Sequence, residues 1–318
     1  MKLTSQYIRV EMLTAKIIDE WLGTCAGCEM TLLDIGDAIL EILPKVEFVH
    51  SPVVMDHKYY GQTGEGTKLK LPEADIGMIS GCVRTEENKE VLQEVRAKCK
   101  VLIANGACAS WGGVPSLANS FTREDLLNTV YKSMRSTVPS VIPSEKIPAL
   151  LDRVYAVDEV VKVDVYLPGC PTEPGVMVQA LNSLLENKPF VMEEKAVCED
   201  CPLKREKKAV APGTVLKRTL ELPAPDKERC LLEQGYFCIG PATRNGCHGG
   251  GWGGPKIPRC IAAGMPCEGC FGPIRAGASQ MVDMMGALST IGVDVKAMLD
   301  RPASFNRFVG AKARLRPR

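Results

Sequence analysis

The sequence predicts an α/β protein in two parts, a parallel sheet covered by helices over residues 1–190 and an irregular domain over 191–318. Three observations predict this. Short apolar runs alternate with stretches of helical spacing in the first part. Regular periodicity fades beyond about residue 192. Eight of the fourteen cysteines then fall between Cys198 and Cys270.

In chain order, residues 15–18 form a strand leading into Gly23-Thr24-Cys25-Ala26-Gly27-Cys28. Residues 29–42 carry Leu32, Leu33, Ile35, Ile39 and Leu40 at helical spacing. Strands follow at 46–49 and 75–80. A helix over 85–98 has Thr85 and Asn88 placed for an N-terminal cap. A strand at 101–104 ends in Asn105-Gly106-Ala107-Cys108, and one at 161–167 ends in Pro168-Gly169-Cys170-Pro171. A helix over 173–187 closes this part. Ligands of open parallel sheets sit beyond the carboxyl ends of the strands, and Cys25, Cys28, Cys108 and Cys170 each follow a strand. In the second part, residues 279–299 form a closing helical stretch, and the end bearing Arg314, Arg316 and Arg318 is expected to be a mobile tail.

The bulk composition excludes several function classes. Lysine plus arginine (39) nearly balances aspartate plus glutamate (38), a net charge of +1, so no basic excess points to nucleic acid. No apolar run reaches the roughly 20 residues of a membrane span. Residues 1–20 carry neither a secretory signal nor a twin-arginine pair, so a cytoplasmic location is expected. A reducing cytosol keeps thiols free, which makes a cysteine-rich chain a metal carrier rather than a disulfide scaffold. Metal ligation would also order a part with few strong helices.

Cys25-x2-Cys28 places two thiolates on one centre, with Gly27 permitting the turn. Gly106, Gly112, Gly113 and Gly169 let main-chain N–H groups approach cluster sulfurs. Zinc is the alternative for four cysteines, commonly as two close pairs; here one pair joins two distant singles.

Cys25-Ala26-Gly27-Cys28-Glu29, Gly106-Ala107-Cys108 with Gly112-Gly113, and Pro168-Gly169-Cys170-Pro171 resemble the small subunit of nickel–iron hydrogenases and its relative in respiratory complex I. The resemblance implies a flavodoxin-like first domain and an iron–sulfur cluster-binding second one, with three [4Fe–4S] clusters in all. Cys25, Cys28, Cys108 and Cys170 would hold the proximal cluster. Cys247, Cys260, Cys267 and Cys270 would hold the medial one. Cys198, Cys201, Cys230 and Cys238 would hold the distal one. The complex I relative ends soon after its cluster domain and leaves Cys198 to Cys270 unexplained.

Two departures sharpen this resemblance. Many members have histidine where Cys198 stands and proline where Cys260 stands. Thiolates there imply an all-[4Fe–4S], low-potential relay, since imidazole ligation raises a cluster's potential. With no leader and no ferredoxin-type run, the chain resembles the small (gamma) subunit of the cytoplasmic F420-non-reducing, methyl-viologen-reducing hydrogenases of methanogens. That resemblance implies a [NiFe] large subunit, a [2Fe–2S] delta subunit and a heterodisulfide reductase complex as partners. A sulfhydrogenase or NAD-linked small subunit is the near alternative, and a zinc-stabilised scaffold the distant one.

The remaining candidates read as ordinary. Cys82 and Cys99 are expected to be non-ligand thiols, although Cys82 follows a strand at the cluster edge. Glu29 could bond amides or face the large subunit, and equally suits a helix start. His50 and His57 read as exposed polar residues, and His248 as a non-ligand. Residues 249–254 lack the lysine of a phosphate loop. Trp111 and Trp252 could shield clusters or simply pack.

Overall fold

The computed structural model describes residues 14–55, 59–60, 66, 68–206, 209–211, 213–218, 224–249, 254–298 and 300–317. His57, Trp252 and the first thirteen residues lie outside the described residues.

Seven strands are described: β1 (Ala15–Trp21), β2 (Val46–His50), β3 (Ala74–Ser80), β4 (Val83–Thr85), β5 (Cys99–Asn105), β6 (Leu150–Tyr155) and β7 (Val165–Leu167). Five of them form one parallel sheet in the order β2-β1-β3-β5-β7, the flavodoxin-like order, whose switch point lies between β1 and β3. The helices are α1 (Gly27–Asp34), α2 (Ile39–Ile42), α3 (Glu86–Lys98), α4 (Gly106–Trp111), α5 (Arg123–Asn128), α6 (Pro174–Leu185), α7 (Arg259–Ala262), α8 (Gln280–Thr290) and α9 (Arg301–Phe305). No helix among the described residues is long and apolar enough to cross a membrane.

The sheet is apolar on both faces because helices cover both. Ile17, Met78, Ile103 and Leu167 face one side and pack with Val176, Met177 and Leu181 of α6. Their neighbours Ile18, Ile79 and Leu102 face the other side and pack with Val91, Leu92 and Val95 of α3. This alternation along each strand is the pleat's period of two.

Several boundaries differ from expectation. β1 runs on through Asp19 and Glu20, which are buried despite their charge. The helix expected over 29–42 breaks, because Gly36 takes a left-handed φ of 62° and short 3-10 turns flank α2. Thr85 caps α3 as expected, accepting a hydrogen bond from Asn88 N at 3.1 Å. The last strand of the sheet is only Val165–Leu167. The antiparallel pair β4–β6 carries no clear sequence signal.

The second part has a core of its own around Val197, Phe237, Ile239, Met284, Leu288 and Phe305. It is not independent of the sheet: Phe271 enters the core beside Leu167 and Met177, with Cys247 and Cys270 against the same cluster. The expected mobile tail is instead a docked strap. Gly310 N donates to Ser116 Oγ at 3.0 Å, Ala311 N to the Trp111 carbonyl at 3.1 Å, and Leu315 is buried. The arginines suggest a solvated end, but Val309, Ala311 and Leu315 between them supply an apolar face whose burial stabilises docking.

Candidate cluster-binding sites

The first group of thiols lies at the carboxyl edge of the sheet. Ala26, between Cys25 and Cys28, takes a φ of 65°, a left-handed turn that costs a non-glycine residue about 1–2 kcal/mol. That turn starts α1 immediately, so both cysteines of the pair come from one tight bend. Cys108 follows β5 on α4, and Cys170 follows β7. Burial pushes the Cys108 thiol well up, and Cys82, Cys170, Cys28 and Cys25 around it push it further. A methyl group on Gly106 would collide with the Cys28 sulfur, and one on Gly113 with the Cys108 sulfur. Both glycines have positive φ. The backbone thus lies directly against the sulfurs.

Cys82 is a fifth thiol at this edge. It is buried, its sulfur lies 3.2 Å from the Gly23 carbonyl, and burial pushes its thiol up to about 11. Cys99 is elsewhere, buried at the start of β5 against Gly77.

Two further groups lie in the second part. Burial pushes the Cys198 thiol up to about 12, with Cys238, Cys201 and Cys230 adding to it. Gly240 leaves room between Cys198 and Cys238; a Cβ there would lie 3.3 Å and 3.5 Å from their sulfurs. Burial likewise pushes Cys270 up to about 12, with Cys260, Cys247 and Cys170 adding, while Cys267 is raised first by burial and then by Cys238, Cys270 and Cys260. Most of these sulfurs accept a main-chain N–H: Leu203 to Cys201, Gly240 to Cys238, Arg259 to Cys247, Glu268 to Cys260 and Gly269 to Cys267.

Two such bonds cross between groups. The N–H of Cys170 reaches the sulfur of Cys270, and the N–H of Cys267 reaches the sulfur of Cys238 at 3.3 Å. The group around Cys270 therefore lies between the sheet-edge group and the group around Cys238. Among the described residues no three His, Cys, Asp or Glu side chains converge on a point for a single metal ion. Sets of four thiols with N–H donors around them are a donor set that a multi-iron cluster takes.

Carboxylates tie the groups together. Glu173, three residues past Cys170, caps α6 by accepting from Val176 N at 3.0 Å and binds Arg259, the neighbour of Cys260. Asp200, between Cys198 and Cys201, accepts from Asn245 and meets His248 Nε2 at 3.0 Å. His248 is thus buried against a carboxylate. Trp111 and Cys270 both pack against the cluster of Ala107, Phe308 and Val309, so Trp111 covers part of the junction of the two parts.

Sequence reasoning misses a buried acidic group behind the first site. His50 meets Glu20 Oε2 at 2.6 Å and is 1% exposed, a correction to the surface role expected for it. Tyr59 donates to the same oxygen. Glu29 lies in the first turn of α1, as a helix-start carboxylate would, but it does not face outward: it is buried and accepts from Ser80. Burial, helped by Asp19 and Glu20, pushes Glu29 up to about 7. Only the close spacing of the acids Asp19, Glu20 and Glu29 beside an apolar strand hints at this.

Asp19 gives a stability test. Burial raises its carboxyl from 3.8 to about 6, against the bond it accepts from Ser51. The folded state then binds more protons than the unfolded one between these values, so stability falls as pH rises through that window. Asp19→Asn should be neutral below about pH 4 and stabilise by up to about 3 kcal/mol above about pH 7, as read by denaturation at the two pH values.

Comparison with known proteins decides the family. Residues 25–184 match the family described as NADH ubiquinone oxidoreductase, 20 kDa subunit. Over 285 residues the chain is 38% identical to a vhu subunit of the F420-non-reducing hydrogenase of Methanocaldococcus jannaschii, covering 89% of this chain and 91% of that one. Over 291 residues it is 32% identical to the iron–sulfur subunit of the F420-non-reducing hydrogenase of Archaeoglobus profundus, covering 86% of this chain and 87% of that one. The chain belongs to this family of F420-non-reducing hydrogenase subunits. It is accordingly a subunit of an oxidoreductase. Among solved structures it is similar to a chain of an NAD+-reducing [NiFe]-hydrogenase, with a TM-score of 0.50 and 35% identity over 55% of this chain and 93% of that one. A second similar structure is an actinobacterial-type NiFe-hydrogenase from Ralstonia eutropha H16, with a TM-score of 0.50 and 16% identity over 90% of this chain and 87% of that one. The latter likeness bears on the fold across both parts. The F420-non-reducing hydrogenase relatives thus match this chain through the second part as well as the first.

Proposed function

We propose that this chain is the electron-transfer small subunit of a cytoplasmic [NiFe] hydrogenase. In this reading electrons from hydrogen oxidised at a separate large subunit leave toward a [2Fe–2S] delta subunit and heterodisulfide reductase. The observation that carries it is the gathering of the cysteines into groups that touch in series. Cys25, Cys28, Cys108 and Cys170 would hold the proximal cluster, Cys247, Cys260, Cys267 and Cys270 the medial, and Cys198, Cys201, Cys230 and Cys238 the distal. Bound there, three [4Fe–4S] clusters would supply one-electron carriers.

The chain's own part is to hold the thiolates, donate N–H groups to sulfur and exclude water. Raised thiols must lose protons to ligate, so loading releases protons and stabilises the fold. Trp21, Met30, Leu33 and Leu40 lie near Cys25 in the chain and are exposed apolar side chains of the kind a large subunit would cover. The NAD-linked reading has less support, because the matching structure spans 55% of this chain and leaves the second part unaccounted for. Electron paramagnetic resonance on the purified complex tests the proposal. Hydrogen should reduce the clusters of this chain and bring up the signals of the one-electron-reduced [4Fe–4S] form, whereas the isolated chain should not oxidise hydrogen. Signals that stay unchanged under hydrogen in an active complex would refute it.

A further inference from the structure

We propose that the recess where the carboxy-terminal strap meets the sheet edge binds a small organic phosphate. The recess has a volume of about 290 Å³, and Trp111, Tyr166, Arg244, Arg275, Lys312 and Arg314 are among its lining residues. It is built from both parts of the chain: Trp111 ends α4, Tyr166 lies in β7, Arg244 and Arg275 come from the second part, and Lys312 and Arg314 from the strap.

The charge balance there is uneven. Asp158 also lines the recess; its Oδ2 is engaged by Lys312 and by Tyr166 Oη, which donates to it at 2.8 Å, while its Oδ1 is buried with no hydrogen-bond partner. The arginines feel carboxylates only through space, Arg314 those of Asp158 and Glu159 and Arg244 that of Glu194, and their hydrogen bonds end on carbonyls. Arg244 Nε reaches the Pro273 carbonyl at 3.3 Å, and Arg314 reaches the Ala278 carbonyl at 2.9 Å. A second terminal nitrogen of Arg314 is buried with no hydrogen-bond partner. Burial holds both guanidiniums below the ordinary arginine value. Arg275 is exposed at the rim.

Half-buried cations whose hydrogen bonds end on carbonyls leave a desolvation cost that an anion would offset. Guanidinium forks match the oxygens of phosphate and carboxylate, and several forks around one recess favour a dianion, hence phosphate. Trp111 and Tyr166 with Pro168 and Pro273 add an apolar wall for an organic group. The volume is near the lower end for small-molecule sites, roughly 300–1,000 Å³. No cysteine lines this recess, although Trp111 and Pro168 adjoin the cysteine groups in the chain.

Calorimetric titration of the purified complex with adenosine monophosphate, inorganic phosphate and succinate tests the assignment. Adenosine monophosphate should bind saturably at one site per chain, inorganic phosphate more weakly. Arg275→Gln, at an exposed position that should not disturb folding, should weaken both by at least about tenfold, the loss of one charge-assisted hydrogen bond. Tyr166→Leu should weaken the nucleotide and leave inorganic phosphate unchanged. Absence of saturable binding by the complex, which would include a partner's acidic side chain filling the recess, overturns the proposal. So does binding indifferent to Arg275→Gln, and so does succinate binding without phosphate binding.

Discussion

Cys170→Ala should lower hydrogen-driven dye reduction by the complex by more than about a hundredfold, beyond the 10–100-fold that outer partners of a metal site cost. Cys170 links the sheet-edge group to the next one, because its N–H bonds the Cys270 sulfur. Alanine keeps that N–H and removes only the sulfur, so the effect reports ligation rather than a broken loop. Hydrogen–deuterium exchange, which needs only the large subunit's metal site, should continue. Iron belonging to this chain should fall by about a third. Cys82→Ala is the control: its sulfur sits at the same edge, yet both dye reduction and iron content should stay near wild type. A Cys82→Ala protein that lost iron while Cys170→Ala kept it would reverse the assignment of the fourth ligand.

Phe305→Ala should destabilise the protein by about 3–5 kcal/mol, the range for a fully buried aromatic, against a typical total of roughly 5–15 kcal/mol. Phe305 is 1% exposed, stands 5.6 Å from the Phe237 ring and packs in the cluster that contains Cys238 and Cys267. The second part has little regular structure to compensate for a cavity there. The midpoint of chemical denaturation should therefore drop. Iron should be lost first from the medial and distal groups, while Phe305→Leu, which fills most of the space, should lose much less. Retained midpoint in Phe305→Ala would mean that this core does not support the second part.

Much of the sheet is legible because buried parallel strands are apolar runs, and several end where a cysteine motif begins. Cys25, Cys108 and Cys170 fall at one edge for that reason. What is not legible has physical causes. Residue type does not reveal burial, so the strand expected at 15–18 stops short of Asp19 and Glu20, and His50 reads as surface, although all three are buried. β6 pairs only with the three-residue β4 and exposes part of its length, so it lacks the signal of a core strand. The helix expected over 29–42 breaks at Gly36, where periodicity continues but the backbone turns. In the strap, the arginines are conspicuous and the three apolar residues Val309, Ala311 and Leu315 that dock it are not. For the second part, spacing alone leaves the grouping of eight cysteines open. There the grouping rests on resemblance, and the contacts among thiols are a tertiary fact that no local pattern carries.

The central claim is that three sets of four thiolates each hold a four-iron cluster. Iron, zinc and acid-labile sulfide analysis of the purified complex, corrected for its other iron subunits and joined to Mössbauer spectroscopy, tests it most directly. About twelve irons and as many sulfides are expected on this chain, all in [4Fe–4S] form, with Cys260 completing the medial set. Stoichiometric zinc in any set, or a [3Fe–4S] signal in intact protein, would contradict it.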